Sequence, residues 1–79
     1  MENVDINVVA QQVQVRQPWI WQLSRDFEVK LVLKRAQVDL DSGRYLINLE
    51  GSVEELQRAT AWLMSTGMHV EAQKRKMGV

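Results

Sequence analysis

The chain has no cysteine, one proline, one histidine and no long apolar run, and each shortage narrows what it can do. Without cysteine there are no disulfides, thiolate metal ligands, iron–sulfur clusters or cysteine nucleophiles, a pattern that fits a cytoplasmic protein. The longest apolar runs, VKLVL and WLM, fall far short of the roughly 18 residues of a membrane span. The opening MENVDINV carries acids where a signal peptide needs a basic start. A soluble chain that is not exported is expected. Charge of one sign is missing too: 10 Lys plus Arg balance 10 Asp plus Glu. With no basic field to meet a phosphate backbone, nucleic acid is not an expected partner. His69 stands alone where metal sites and acid–base catalysis need partners, and Ser42, Ser52 and Ser65 have no evident histidine base. No G-x-x-x-x-G-K-[ST] phosphate loop occurs. The expectation is a protein that is not an enzyme and carries no cofactor.

What is present is enough for one domain of 79 residues, close to the size at which a single core barely suffices without oligomerisation. A partner surface is therefore expected. The proline and the four glycines sit singly at element boundaries, so no linker divides the chain. The domain is expected over residues 1–73, followed by a basic tail over 74–79 whose Lys74, Arg75 and Lys76 read as a solvated end.

Val4, Ile6 and Val8 alternate with Asn3, Asp5 and Asn7, the period of a half-buried strand. QQVQVRQ either extends that strand or leads as a loop to Pro18. Proline suits the first helical position, where its missing N–H would be unpaired anyway, and PWIWQLSRDF then sets Ile20, Leu23, Ser24 and Phe27 on one stripe. In EVKLVLKRAQVDL the apolar parity passes from Val29, Leu31 and Leu33 to Ala36, Val38 and Leu40, which predicts a bulge or bend near Lys34 and Arg35. Asp41, Ser42 and Gly43 supply a hairpin turn before Tyr45, Ile47 and Leu49. Asp39 and Asp41 belong to that turn chemistry rather than to a cation site. A second helix opens with the capping box Ser52-x-x-Glu55, buries Leu56, Ala59, Thr60 and Leu63 with Trp62 and Met64 at the flanks, and stops at Gly67. Met68, Val70 and Ala72 alternate as a last strand.

The order β-α-β-β-α-β predicts an α+β, ferredoxin-like fold: a four-stranded antiparallel sheet with both helices on one face. The other face is then open, and Val32 and Leu46 are apolar where solvent-facing positions are normally polar. A second copy, stacked sheet to sheet or edge to edge, is the simplest cover. Trp19 and Trp21 lie about 200° apart around a helix and cannot both share the buried stripe. One of them is expected at a partner or ligand contact, where Trp is enriched. Lys34, Arg35 and Arg44 gather near the hairpin, either as a solvated edge that deters aggregation or as an anion-binding cluster. The candidate interface or ligand residues are thus Trp19, Trp21, Val32, Lys34 and Leu46.

From Pro18 to Ala72 the sequence resembles a NIL domain, the ferredoxin-like module at the C-terminus of the ATPase subunit of methionine importers of the ABC type. The resemblance rests on PWIWQLSRDFEVKLVL, GRYLINLEG and EELQRATAWLMSTGMHVE, in that order and spacing. It implies a regulatory module that binds methionine where paired domains meet and inhibits transport. The Asn-Ile-Leu run that gives the family its name falls on Val32, Leu33 and Lys34. Here a polar group that could orient a ligand is gone and Lys34 brings a charge. Two functions follow as expectations. One is a non-catalytic module sensing a small effector such as an amino acid at a domain interface. The alternative is a protein–protein adaptor or assembly factor that uses the open sheet face and the Trp-bearing helix, with no metabolite.

Overall fold

The alternation at the start of the chain does produce a strand, and the structure, a computed structural model that describes residues 1–72, shows why it lies where it does. Strand β1 (Glu2–Gln11) buries Ile6, Val8 and Ala10 on one side and sits inside the sheet, paired antiparallel to β3 (Ser42–Gly51) and to β4 (His69–Ala72). The other neighbour of β3 is β2 (Lys30–Val38), which gives the order β2-β3-β1-β4. All pairings are antiparallel, and the predicted ferredoxin-like arrangement is what forms. The predicted tail over 74–79 lies outside the described residues.

The helices are α1 (Val13–Arg16), α2 (Trp19–Asp26) and α3 (Val53–Ser65). The first of them answers the open reading of QQVQVRQ. Gln12 turns the chain with a positive φ of 53°, and the short α1 follows instead of more strand or loop. Gln14 fastens this turn to the far end of the domain by donating from Nε2 to the carbonyl of Thr66 at 2.8 Å.

On α2 the buried stripe is rotated from the one predicted. Trp19 and Leu23 are in the core, Ile20 and Phe27 are at its margin, and Ser24 is exposed. The Ser24 hydroxyl donates to the Ile20 carbonyl at 3.0 Å, which lets a polar side chain sit on a helix without a tertiary partner. Pro18 occupies the cap rather than the first helical position, with its carbonyl accepting from the N–H of Gln22.

Helix α3 buries Leu56, Ala59 and Leu63 at the expected spacing. Its start holds half of the predicted capping box. The Ser52 hydroxyl accepts from the Glu55 N–H at 3.2 Å, but the Glu55 carboxylate accepts from the backbone N–H of Glu28 at 3.0 Å rather than returning to Ser52. The carboxylate therefore ties α3 to the loop before β2. At the other end, Gly67 adopts φ 92° and closes the helix as predicted, since only glycine takes that region without a Cβ penalty.

Strand β2 shifts register between Leu33 and Arg35, the bulge expected from the parity change. With the extra residue absorbed there, Leu31, Leu33, Ala36 and Val38 lie opposite Leu49, Ile47, Tyr45 and Gly43 on the helix side of the sheet. Burial does not follow from that side alone. Leu33 is 48% and Val38 56% exposed, because β2 is an edge strand and the eight-residue α2, roughly 12 Å long, leaves it uncovered. Among the described residues no helix is long and apolar enough to cross a membrane.

Candidate functional site

With the register known, the open face of the sheet can be laid out in rows. Nearest the β2–β3 hairpin come Gln37, Arg44, Val9 and His69, followed by Arg35, Leu46, Asn7 and Glu71. Next are Val32, Asn48 and Asp5, and last Lys30, Glu50 and Asn3. The face is polar with three apolar positions, rather than a flat apolar patch.

The middle of the face and its hairpin end differ in how their charges are used. In the middle, Asp5 accepts from Lys34 Nζ at 3.0 Å and from Asn48 Nδ2 at 2.8 Å. Alternation from Val32 carries Lys34 to this face and the bulge leaves it unpaired on β3, so its charge is held by an acid two strands away. Both groups stay partly exposed, and such a pair is worth at most about 1 kcal/mol. Val32, opposite Asn48, is 47% exposed.

Toward the hairpin, Leu46 is half-buried and lines a cavity of about 200 Å³ together with Asn7, Arg35, Gln37 and Arg44. None of those four polar side chains has a hydrogen-bond or ion-pair partner among the described residues. Two guanidinia and two primary amides thus converge on one concavity with an apolar residue in it. Lys34 is not part of this group, so the structure divides the predicted trio of cations into one paired lysine and two free arginines. Asn7 and Gln37 escaped sequence reasoning. The signal for them was their outward parity, plain for Asn7 in the alternation of β1 and dependent for Gln37 on the bulge in β2.

The two tryptophans separate cleanly. Trp19 is 3% exposed and meets Tyr45 edge-on, so it belongs to the core. Trp21 is 58% exposed, with the Arg25 guanidinium 4.3 Å over its ring. Arg25 also chelates Asp26, with contacts of 2.7 and 3.0 Å. This hydrogen bonding raises the arginine's pKa and lowers the aspartate's. On the helix side, Trp19, Trp62, Met68, Gln14 and Gln22 border another cavity of about 330 Å³, with no charged group in its lining. His69 is exposed and faces Glu71 at 3.7 Å. No group of three or more potential metal ligands occurs among the described residues.

Comparisons with known proteins agree with this architecture. The crystal structure of the C-terminal domain of an ABC transporter ATP-binding protein from Enterococcus faecalis superposes with a TM-score of 0.75 at 14% identity, covering 92% of this chain and 86% of that one. A de novo designed protein, Foldit4, superposes with a TM-score of 0.56, also at 14% identity, covering 92% of this chain and 97% of that one. At such identities both show the fold alone. No curated protein matches the sequence. The NIL domain family matches residues 3–72, nearly the whole chain, and the protein belongs to that family.

Proposed function

We propose that this chain is a non-catalytic regulatory module that works as a pair, binding a small effector such as an amino acid on its open sheet face and passing that state to a protein partner. Membership of the NIL family supports a regulatory or binding role in general. The observation that carries the finer reading is the surroundings of Leu46. An apolar side chain in a cavity with four unengaged polar groups suits a small molecule with one apolar and one polar end. A flat apolar patch would have favoured a macromolecular contact instead. The cytoplasm is the compartment that suits a module of this kind.

Pairing follows from the free edge. The nine-residue β2 presents the unpaired backbone groups of its alternate residues along the sheet edge, beside exposed Leu33 and Val38. Such an edge is a template for another strand. A second copy adding antiparallel across a twofold axis would cover both strips at once. An effector bound near that seam acts as a switch provided that it binds the paired and unpaired states with different affinity.

The test is a thermal-shift screen against amino acids and small metabolites, with the oligomeric state read by sedimentation in parallel. A ligand present at about 100 times its dissociation constant should add roughly 2.7 kcal/mol to stability. No shift across the panel, with a partner protein still captured, would favour the adaptor reading, for which the exposed Trp21 is the natural anchor.

A further inference from the structure

The outer-face cavity beside the hairpin is charged in a way that selects its occupant. Arg35 stands opposite Leu46 and Arg44 opposite Gln37, which makes the two arginines diagonal neighbours on adjacent strands, with backbones roughly 7–8 Å apart. Neither guanidinium has an acidic partner among the described residues. The acids of the same face are engaged or distant. Asp5 holds Lys34, Glu50 lies opposite Lys30 in the last row, and Glu71 stands on β4, two strands from Arg44 and three from Arg35. Two like charges side by side repel, and what relieves them at this place must come from outside the fold.

We propose that this cavity is a binding site for a small dianion, a dicarboxylate or a phosphate monoester, clamped by Arg35 and Arg44. The inference rests on the reading of the open sheet face as the effector face and narrows the chemistry of the effector. A guanidinium offers a planar fork of N–H donors that matches carboxylate and phosphate oxygens two at a time. Two forks at diagonal spacing fit either the two ends of a short dicarboxylate or the oxygens of one phosphate group. The Asn7 and Gln37 amides add neutral donors, and Leu46 gives the carbon skeleton an apolar contact. The cavity of about 200 Å³ is smaller than the roughly 300–1,000 Å³ of drug-sized sites, which favours a small metabolite over a nucleotide. A neutral zwitterion such as methionine would satisfy one arginine and leave the other unmatched.

Calorimetric titration of the 79-residue chain with succinate, inorganic phosphate and methionine, at constant ionic strength, tests the proposal. The variants are Arg35→Gln, Arg44→Gln and both together. All are surface changes, with circular dichroism confirming the fold. Saturable binding of succinate or phosphate, weakened at least tenfold by either substitution and lost in the double variant, is the expected result. Whichever of the two binds identifies the dicarboxylate or the phosphate source. Binding that persists in the double variant overturns the proposal as non-specific attraction. Methionine binding with both dianions inert overturns it too but leaves the effector module standing, and an inert panel overturns the dianion site while leaving the effector module to the wider thermal-shift screen.

Discussion

The carboxylate of Glu55 accepts the backbone N–H of Glu28 at 3.0 Å, and Arg58 closes on its other oxygen. This joins the N-terminus of α3 to the loop that starts β2, two segments 27 residues apart in sequence. The backbone hydrogen bond, with Arg58 in support, holds the Glu55 carboxyl below its ordinary value.

The sign of the pH effect follows. A carboxyl whose folded pKa is depressed contributes its full stability above the unfolded value of about 4.3 and loses it as pH falls through the folded one. Urea titrations at successive pH values below about 4.3 should show stability falling, and Glu55→Gln should flatten that limb. An unchanged acid limb in the variant would assign the acid sensitivity to another carboxylate.

The tryptophans should behave oppositely. Trp19 packs against Tyr45 with centroids 5.0 Å apart and planes at 80°. Trp19→Ala is expected to cost roughly 3–5 kcal/mol, a large share of the total for a domain with about 0.05–0.15 kcal/mol per residue. Trp21→Ala should stay within about 0.5 kcal/mol, as surface changes do. Equilibrium unfolding of the two variants side by side checks this.

Gly67→Ala should be more damaging than its surface position suggests. The residue has φ 92°, and an added Cβ would lie 2.7 Å from Nε2 of Gln14, the atom that ties α1 to Thr66. A loss of at least about 1 kcal/mol is expected, read as a melting temperature lower by roughly 4–8 °C.

Pairing along β2 makes a further prediction. Leu33→Lys places a charge in the exposed strip beside the free edge and should weaken self-association at least tenfold by sedimentation, with the monomer still folded. Leu46→Asp, on the opposite face, should leave edge pairing intact. The reverse pattern would mean that copies stack through their sheet faces instead.

Much of the fold was legible because it is written in local signals. Alternation marked β1, the parity change marked the bulge, and Ser52 and Gly67 marked the ends of α3. The rotated stripe of α2 was not legible. Ile20, Leu23, Ser24 and Phe27 are as well spaced as Trp19 and Leu23, and only contact with Tyr45 on another strand decides between them. The same holds for the exposure of Leu33 and Val38, since a strand's own residues do not say whether it lies at the edge. The cavity around Leu46 needed the pairing of three strands, with Asn7 contributed by β1, more than 25 residues from Arg35 in sequence. Periodicity within one segment carries no such information.

The bulge at Lys34 has an evolutionary consequence. It is one residue long, and because Lys34 stands as an extra residue against β3, the strand on either side keeps its facing whether or not Lys34 is there. Deleting that one codon would set Leu33 next to Arg35 in regular alternation, leaving Arg35 opposite Leu46 and Ala36 and Val38 on the helix side, and removing only Lys34 and its ion pair with Asp5. A lineage could thus lose or regain the Lys34–Asp5 pair by one codon without disturbing the arginine pair. Among relatives, the length of this strand is as telling a character as the residues in it.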